Sequence, residues 1–172
     1  KESLGGSRAK RPPRLARNSE SRLRPEPTAR SAAWDQKAAA TYLDDRAIWW
    51  KNWSVSDRDH DTSCASCHTT VPYALARPAL RAALGETTLT FPETELQDDV
   101  STRVALWNET NPYYPDQRFG LPKSSESRGT ESILNALVLS SRDAREGHLN
   151  AETKKAFENL WKLQFTRGDG TG

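Results

Sequence analysis

A chain of 172 residues suits one ordinary domain with a tail rather than several domains. No stretch approaches the ~20 apolar residues of a membrane-spanning helix, which excludes a helical span. The formal net charge is only +2, yet residues 1–30 carry +6 and the remainder −4, so the body is mildly acidic and a basic isoelectric point is no argument for nucleic acid.

Residues 1–31 read as a disordered, basic, Pro/Arg-rich tail or linker. Residues 1–30 hold no aromatic side chain, and their Pro, Gly, Ser and Arg content cannot bury a core. Two roles stay open: a solvated linker, or a basic arm for an acidic protein or an anionic membrane surface. Nothing aromatic interleaves the charges to stack on bases, so nucleic acid is the weak alternative. There is no methionine anywhere and no visible signal peptide, so position 1 reads as a processed or cloned start.

The second segment, 32–172, reads as an all-α domain of about five helices. After Ser31 as N-cap, "AAWDQKAAATYLDDRAIWWKNW" places Trp34, Ala38 and Tyr42 at i, i+4, i+8 and predicts a helix over about 32–53. "SVSDRDHDTS" reads as a polar loop. "VPYALARPALRAALGE" predicts a helix started by Pro72, kinked or restarted at Pro78 and stopped by Gly85. Thr90 with Glu93 fits a capping box, and the helix after it carries Leu96, Val100, Val104 and Trp107 on one stripe. "NETNPYYPDQRFGLPKSSES" reads as a long Pro- and Gly-punctuated loop. "RGTESILNALVLSSRDAREG" predicts a helix with Ile133, Leu134, Leu137 and Val138 at helical spacing and Gly147 as its stop. Asn150 caps a last helix with Phe157, Leu160, Trp161 and Gln164 on one face, and "RGDGTG" is loop. The six tryptophans suit core filling or the walls of a bulky flat cofactor.

Chemistry concentrates in "DTSCASCHTT", Asp61–Thr70, which holds both cysteines of the chain. Cys64-Ala65-Ser66-Cys67-His68 is the C-x-x-C-H pattern of c-type haem attachment. Two thiols at this spacing reach two vinyl groups on one porphyrin edge, and the next residue then lies at the iron, where an imidazole becomes the axial ligand. Other readings fit less well. A dithiol redox site expects a strand-to-helix context, and no strand is predicted. A local disulfide closes too short a loop to gain much. Zinc needs four ligands, and only His60 and His148 remain to be recruited. One covalent haem c is therefore expected, held by Cys64 and Cys67, with His68 on the iron.

For the sixth ligand, methionine of this chain is excluded. His60, four residues before Cys64, reaches the far face if the loop is extended at ~3.3 Å per residue, and it is the favoured distal ligand. His148, Tyr73, a lysine or an open position are the alternatives. Arg58 and Arg77 flank the motif as candidate propionate partners or as ordinary solvated arginines. The acidic pairs Asp44–Asp45 and Asp98–Asp99 sit on predicted helices without a nearby histidine and read as solvated faces.

"RDHDTSCASCHTTVPYALARPALRAALGE", with "SRGTESILNALVL" and "AFENLWKLQFTRGDGTG", resembles bacterial exported proteins in which a c-type haem motif precedes repeats of the squalene-cyclase/prenyltransferase type. The resemblance covers roughly residues 32–170 and implies an α/α toroid of alternating helices. Gln164 and Gly168 match the first two positions of its Q-x-x-x-G-x-W stretch, while Gly170 stands where tryptophan is expected. It also implies either the leading part of a longer protein or a natural short form. The D-x-D-D acid of true cyclases is absent, so cyclase activity is not carried over. The expectation is a periplasmic or otherwise extracytoplasmic monohaem domain passing single electrons to a redox partner protein. The rivals are an open-haem enzyme or small-ligand sensor, and a haem-stapled binding module.

Overall fold

The computed structural model describes residues 34–164, and the basic segment 1–31 and the closing "RGDGTG" lie outside them. The described residues form an all-α unit: α1 Gln36–Lys51, α2 Thr70–Ala83, α3 Phe91–Ala105, α4 Asp116–Phe119, α5 Lys123–Glu146 and α6 Ala151–Lys162. Among them there is no strand, only one isolated antiparallel bridge between Asp57 and Ser63. No described helix is long and apolar enough to cross a membrane.

The local signals act where backbone groups need partners. α1 starts at Gln36 rather than near Ser31, because the Asp35 carboxylate accepts the Ala38 amide at 2.9 Å. α2 begins at Thr70, which puts Pro72 in its first turn, and it runs unbroken through Pro78. The Thr90 capping box forms: the Thr90 amide donates to Glu93 Oε2 at 2.9 Å. The long loop between α3 and α5 is shorter than its Pro/Gly content predicts. It holds the single turn α4, and α5 already starts at Lys123. α5, 24 residues and thus ~36 Å long, stops at Gly147, whose φ of 75° is the left-handed conformation glycine adopts freely.

α5 packs along α6, α1 along α2, and α3 lies against both α5 and α6. The core joins Ala47 of α1, Val71 and Tyr73 of α2, Leu96, Val100 and Val104 of α3, Ala136, Val138 and Leu139 of α5 and Ala156 of α6. The α3 stripe is as periodicity predicts, with Trp107 buried below it. The inward faces of the other helices are turned. In α5, Ile133 and Leu137 are exposed while Glu131, Ser132 and Asn135 face inward. In α6, Trp161 is 62% exposed while Thr153, Ala156 and Asn159 are buried. In α1 the buried residues are Ala40 and Ala47, and Tyr42 is exposed. Close helix approach favours small residues at the contact; Glu131 faces inward because Arg103 and Arg128 bond it there, while the buried Asn135 side chain has no hydrogen-bond partner.

Asn150 caps by an indirect route. Its amide and Nδ2 donate to the two Asp143 carboxylate oxygens at 2.6 and 2.9 Å, which ties the α5–α6 turn together. Burial alone would raise the Asp143 carboxyl. The hydrogen bonds from Asn150 and Arg142 outweigh burial and hold it at about 2, below the ordinary 3.8. A lowered carboxyl stabilises the fold fully above the unfolded value and loses that stabilisation as pH falls through its folded value. Asp143→Asn therefore lowers unfolding free energy at pH 7 by about 2 kcal/mol. The deficit relative to the parent chain shrinks between pH 4 and pH 2, as urea titrations across that range will show.

Candidate functional site

The chain between α1 and α2 is an ordered loop that presents the cysteines. Ser56 Oγ donates to the carbonyls of Trp50 and Trp53 at 2.6 and 2.8 Å and folds the loop back onto the end of α1. The backbone then pairs across it, with the Arg58 amide donating to Thr62 O and the Cys64 amide to Ser56 O, both at 2.8 Å. The Ser63 amide donates to Asp99 Oδ2 of α3 at 3.1 Å, and Lys51 Nζ donates to both Asp99 oxygens at 2.8 and 2.9 Å. Burial raises the Asp99 carboxyl in spite of the Lys51 ammonium.

A reciprocal cap sets the C-x-x-C-H turn. Ser66 Oγ accepts the amides of His68 and Thr69 at 3.2 and 3.1 Å, while the Ser66 amide donates to Thr70 Oγ1 at 2.7 Å. The turn Cys67–Thr69 runs directly into α2. Trp50 Nε1 donates to the Cys64 carbonyl at 2.7 Å and fixes the start of the motif. Cys64 is buried, Cys67 and His68 are exposed, and both thiols are free. All three side chains line one open cavity of about 1340 Å³.

The rest of that cavity is largely aromatic and aliphatic. α1 contributes Trp49 and Trp50, the loop after α3 contributes Tyr113 and Tyr114, α4 contributes Phe119, and α5 contributes Leu134. Trp49 stacks on Trp53 at 5.3 Å, and Trp50 meets Trp53 edge-on at 5.4 Å. Arg46 and Lys123 supply cations to the wall, and the Arg46 guanidinium lies 4.3 Å over Trp49. A second cavity of about 200 Å³ lies behind, between α1 and α3, and Cys64 and Trp50 line both.

The loop is pinned to the core by Arg103 of α3, which is fully buried. Its Nε donates to Glu131 Oε1 at 2.5 Å, Nη1 to Asp59 Oδ1 at 2.9 Å and Thr62 Oγ1 at 3.1 Å, and Nη2 to Asn111 O at 2.7 Å. Its guanidinium lies 4.5 Å from the Tyr113 ring centroid. Asp59 Oδ2 in turn accepts the Asn111 amide at 2.6 Å. Arg128 closes the network from α5, donating to the other Glu131 oxygen and to the Trp107 and Thr110 carbonyls.

No protein-family model, no curated protein and no solved structure matches this chain. The site is therefore read from its own geometry. Burial pushes the Cys64 thiol up, the wrong direction for a redox dithiol, whose attacking cysteine needs a lowered value. No group of three or more His, Cys, Asp or Glu among the described residues is placed to hold a metal ion such as zinc. The residues do suit a large flat group. An aromatic-walled cavity opens on both thiols and the imidazole, and the buried hydroxyl of Tyr113 on its wall has no hydrogen-bond partner.

Several expected site residues lie elsewhere. His60 sits at the tip of the Asp57–Ser63 loop, with its side chain exposed and φ at 55°, and it is not on the cavity wall. His148 is exposed beyond α5, beside Glu146. Tyr73 is buried in the core, bonded to Asp44 at 2.8 Å and Thr90 at 3.0 Å. Arg77 is 2% exposed and spends its donors on Asp44 and Glu86, so it is neither solvated nor a propionate partner. Arg58 donates to its own loop's carbonyls and lies over Tyr113 and Tyr114. The acidic pairs are not bare solvated faces either: Asp44 holds Arg77, and Asp99 holds Lys51 and the Ser63 amide. Motif and spacing do not single out Arg46, Lys123 or the aromatic residues of 113–119; the sequence signal for the last is the aromatic content of "NPYYPDQRF".

Arg103→Lys keeps the charge but loses the planar fork that meets Glu131, Asp59 and Asn111 together. The expected loss is about 3 kcal/mol of unfolding free energy, since buried Glu131 is left short of a partner. Urea denaturation followed by tryptophan emission measures it.

Proposed function

We propose that this chain is a monohaem c-type domain that carries single electrons outside the cytoplasm. The observation that supports it best is the C-x-x-C-H turn, capped into α2 and opening on a large aromatic-walled cavity. In this reading Cys64 and Cys67 are the anchors. Each S–H adds across one vinyl C=C, sulfur bonding to the carbon next to the ring and hydrogen going to the outer carbon, with no external oxidant or reductant. His68 offers an imidazole nitrogen to the iron. When bound, the haem supplies a reversible one-electron iron couple.

The protein's own residues do the rest. Trp50 holds the Cys64 carbonyl, Ser66 and Thr70 fix the turn that orients His68, and the apolar wall keeps water off the ring. Arg46 and Lys123, rather than Arg77, are the cations placed to meet propionates. The exposed side of the cavity leaves an edge for a redox partner protein, and the +6 segment 1–30 supplies an arm for an acidic protein or an anionic membrane surface. Haem c is attached on the oxidising side of the bacterial membrane, which makes the proposed location periplasmic or otherwise extracytoplasmic. The packed α5–α6 pair is consistent with the helical repeat implied by the cyclase-like resemblance.

The chain expressed with the haem-attachment machinery, denatured in alkaline pyridine, will give the reduced spectrum of haem c at one haem per chain. Cys64→Ala or Cys67→Ala alone will shift that band to the single-thioether form, and the double variant will release the haem to acidic solvent extraction. Recovery of a chain with no covalent haem refutes the proposal.

A further inference from the structure

What such a haem can do depends on its sixth position, and this inference rests on the haem-c reading above. We propose that His68 is the iron's sole protein ligand and that the sixth position takes a small uncharged exogenous ligand of the carbon monoxide or nitric oxide class.

Placement keeps the other two histidines from the iron. Four residues of extended chain would carry His60 over the ring, but this loop is not extended. The Asp57–Ser63 bridge closes it, and Asp59, next to His60, is held by Arg103 at 2.9 Å and by the Asn111 amide at 2.6 Å. Swinging His60 into the cavity would break both holds, one of them to a fully buried cation. His148 stands at the far end of a helix whose first half lines the cavity, ~1.5 Å of axis per residue away from it.

Among the described residues the wall holds no second imidazole and no thioether, and its Lys123 and Glu126 are paired with each other at 3.2 Å. Burial pushes the Tyr113 phenol up and keeps it neutral, and the exposed Tyr114 ring packs edge-on against Phe119 at 5.2 Å. The cavity, about 1340 Å³, exceeds the ~300–1,000 Å³ of ordinary ligand pockets, so space remains beside a planar ring. Its lining includes Trp49, Trp50, Phe119 and Leu134, apolar groups that accept an uncharged ligand without the cost of burying a charge.

The test uses the full haem-loaded chain and two variants, His60→Ala and His148→Ala. Visible and resonance Raman spectra of the reduced parent protein are expected to be five-coordinate and high-spin. Added carbon monoxide should convert them to a six-coordinate low-spin form at one molecule per iron, and the two variants should leave both states unchanged. A six-coordinate low-spin parent overturns the inference, and a variant that turns it high-spin names the ligand. A reduced haem that takes no carbon monoxide overturns it as well. Absence of covalent haem is the distinct result that removes the haem-c reading itself.

Discussion

A single buried guanidinium organises the region around the cysteines. Arg103 projects from α3 and directs its donors in three directions: to α5 through Glu131, to the loop before the cysteines through Asp59 and Thr62, and to the chain after α3 through Asn111. α5 also enters the hydrophobic core through Ala136, Val138 and Leu139, but the two loop segments have no such anchor in that core. Burying an arginine is costly, and a lysine's compact ammonium lacks the planar fork that reaches all three sets of acceptors together. The planar fork makes the burial tolerable because each direction ends on an acceptor. Tyr113 then packs on the guanidinium face and becomes part of the cavity wall.

The same solution recurs. Asp99 joins α3 to α1 through Lys51 and to the cysteine loop through the Ser63 amide. Asp44 joins α1 to α2 through Arg77 and Tyr73. Helices with modest apolar stripes are thus locked by polar contacts that tolerate little sliding, since hydrogen bonds are directional where apolar contacts are not. The cavity's shape depends on those locks more than on its own walls.

Much of this was legible one element at a time. The capping box at Thr90, the stripe Leu96–Val100–Val104 and the stop at Gly147 are local signals, and local physics decides them. The cysteine turn was legible because five adjacent residues carry the whole pattern. What was hidden is relational. Asp99 looks like any solvated acid until Ser63, 36 residues away, presents its amide. Trp161 looks like core until smaller Thr153, Ala156 and Asn159 are seen to make the contact instead. His60 looks within reach of a cofactor because spacing limits only the longest path. The actual path is set by Asp59, whose partners come from α3 and the loop after it.

The order of these residues along the chain has a consequence of its own. Cys64, Cys67 and His68 come before Arg103, Tyr113, Phe119, Glu131 and Leu134, so synthesis and any vectorial passage across a membrane deliver the thiols ahead of most of the wall that encloses them. In the finished fold Cys64 is buried. On a chain not yet extended to Tyr113 it has neither Tyr113 nor Leu134 over it, and a bulky group can reach its sulfur without prying the helices apart. Chemistry at Cys64 thus has a window in time, which closes as the second half of the domain folds over the first.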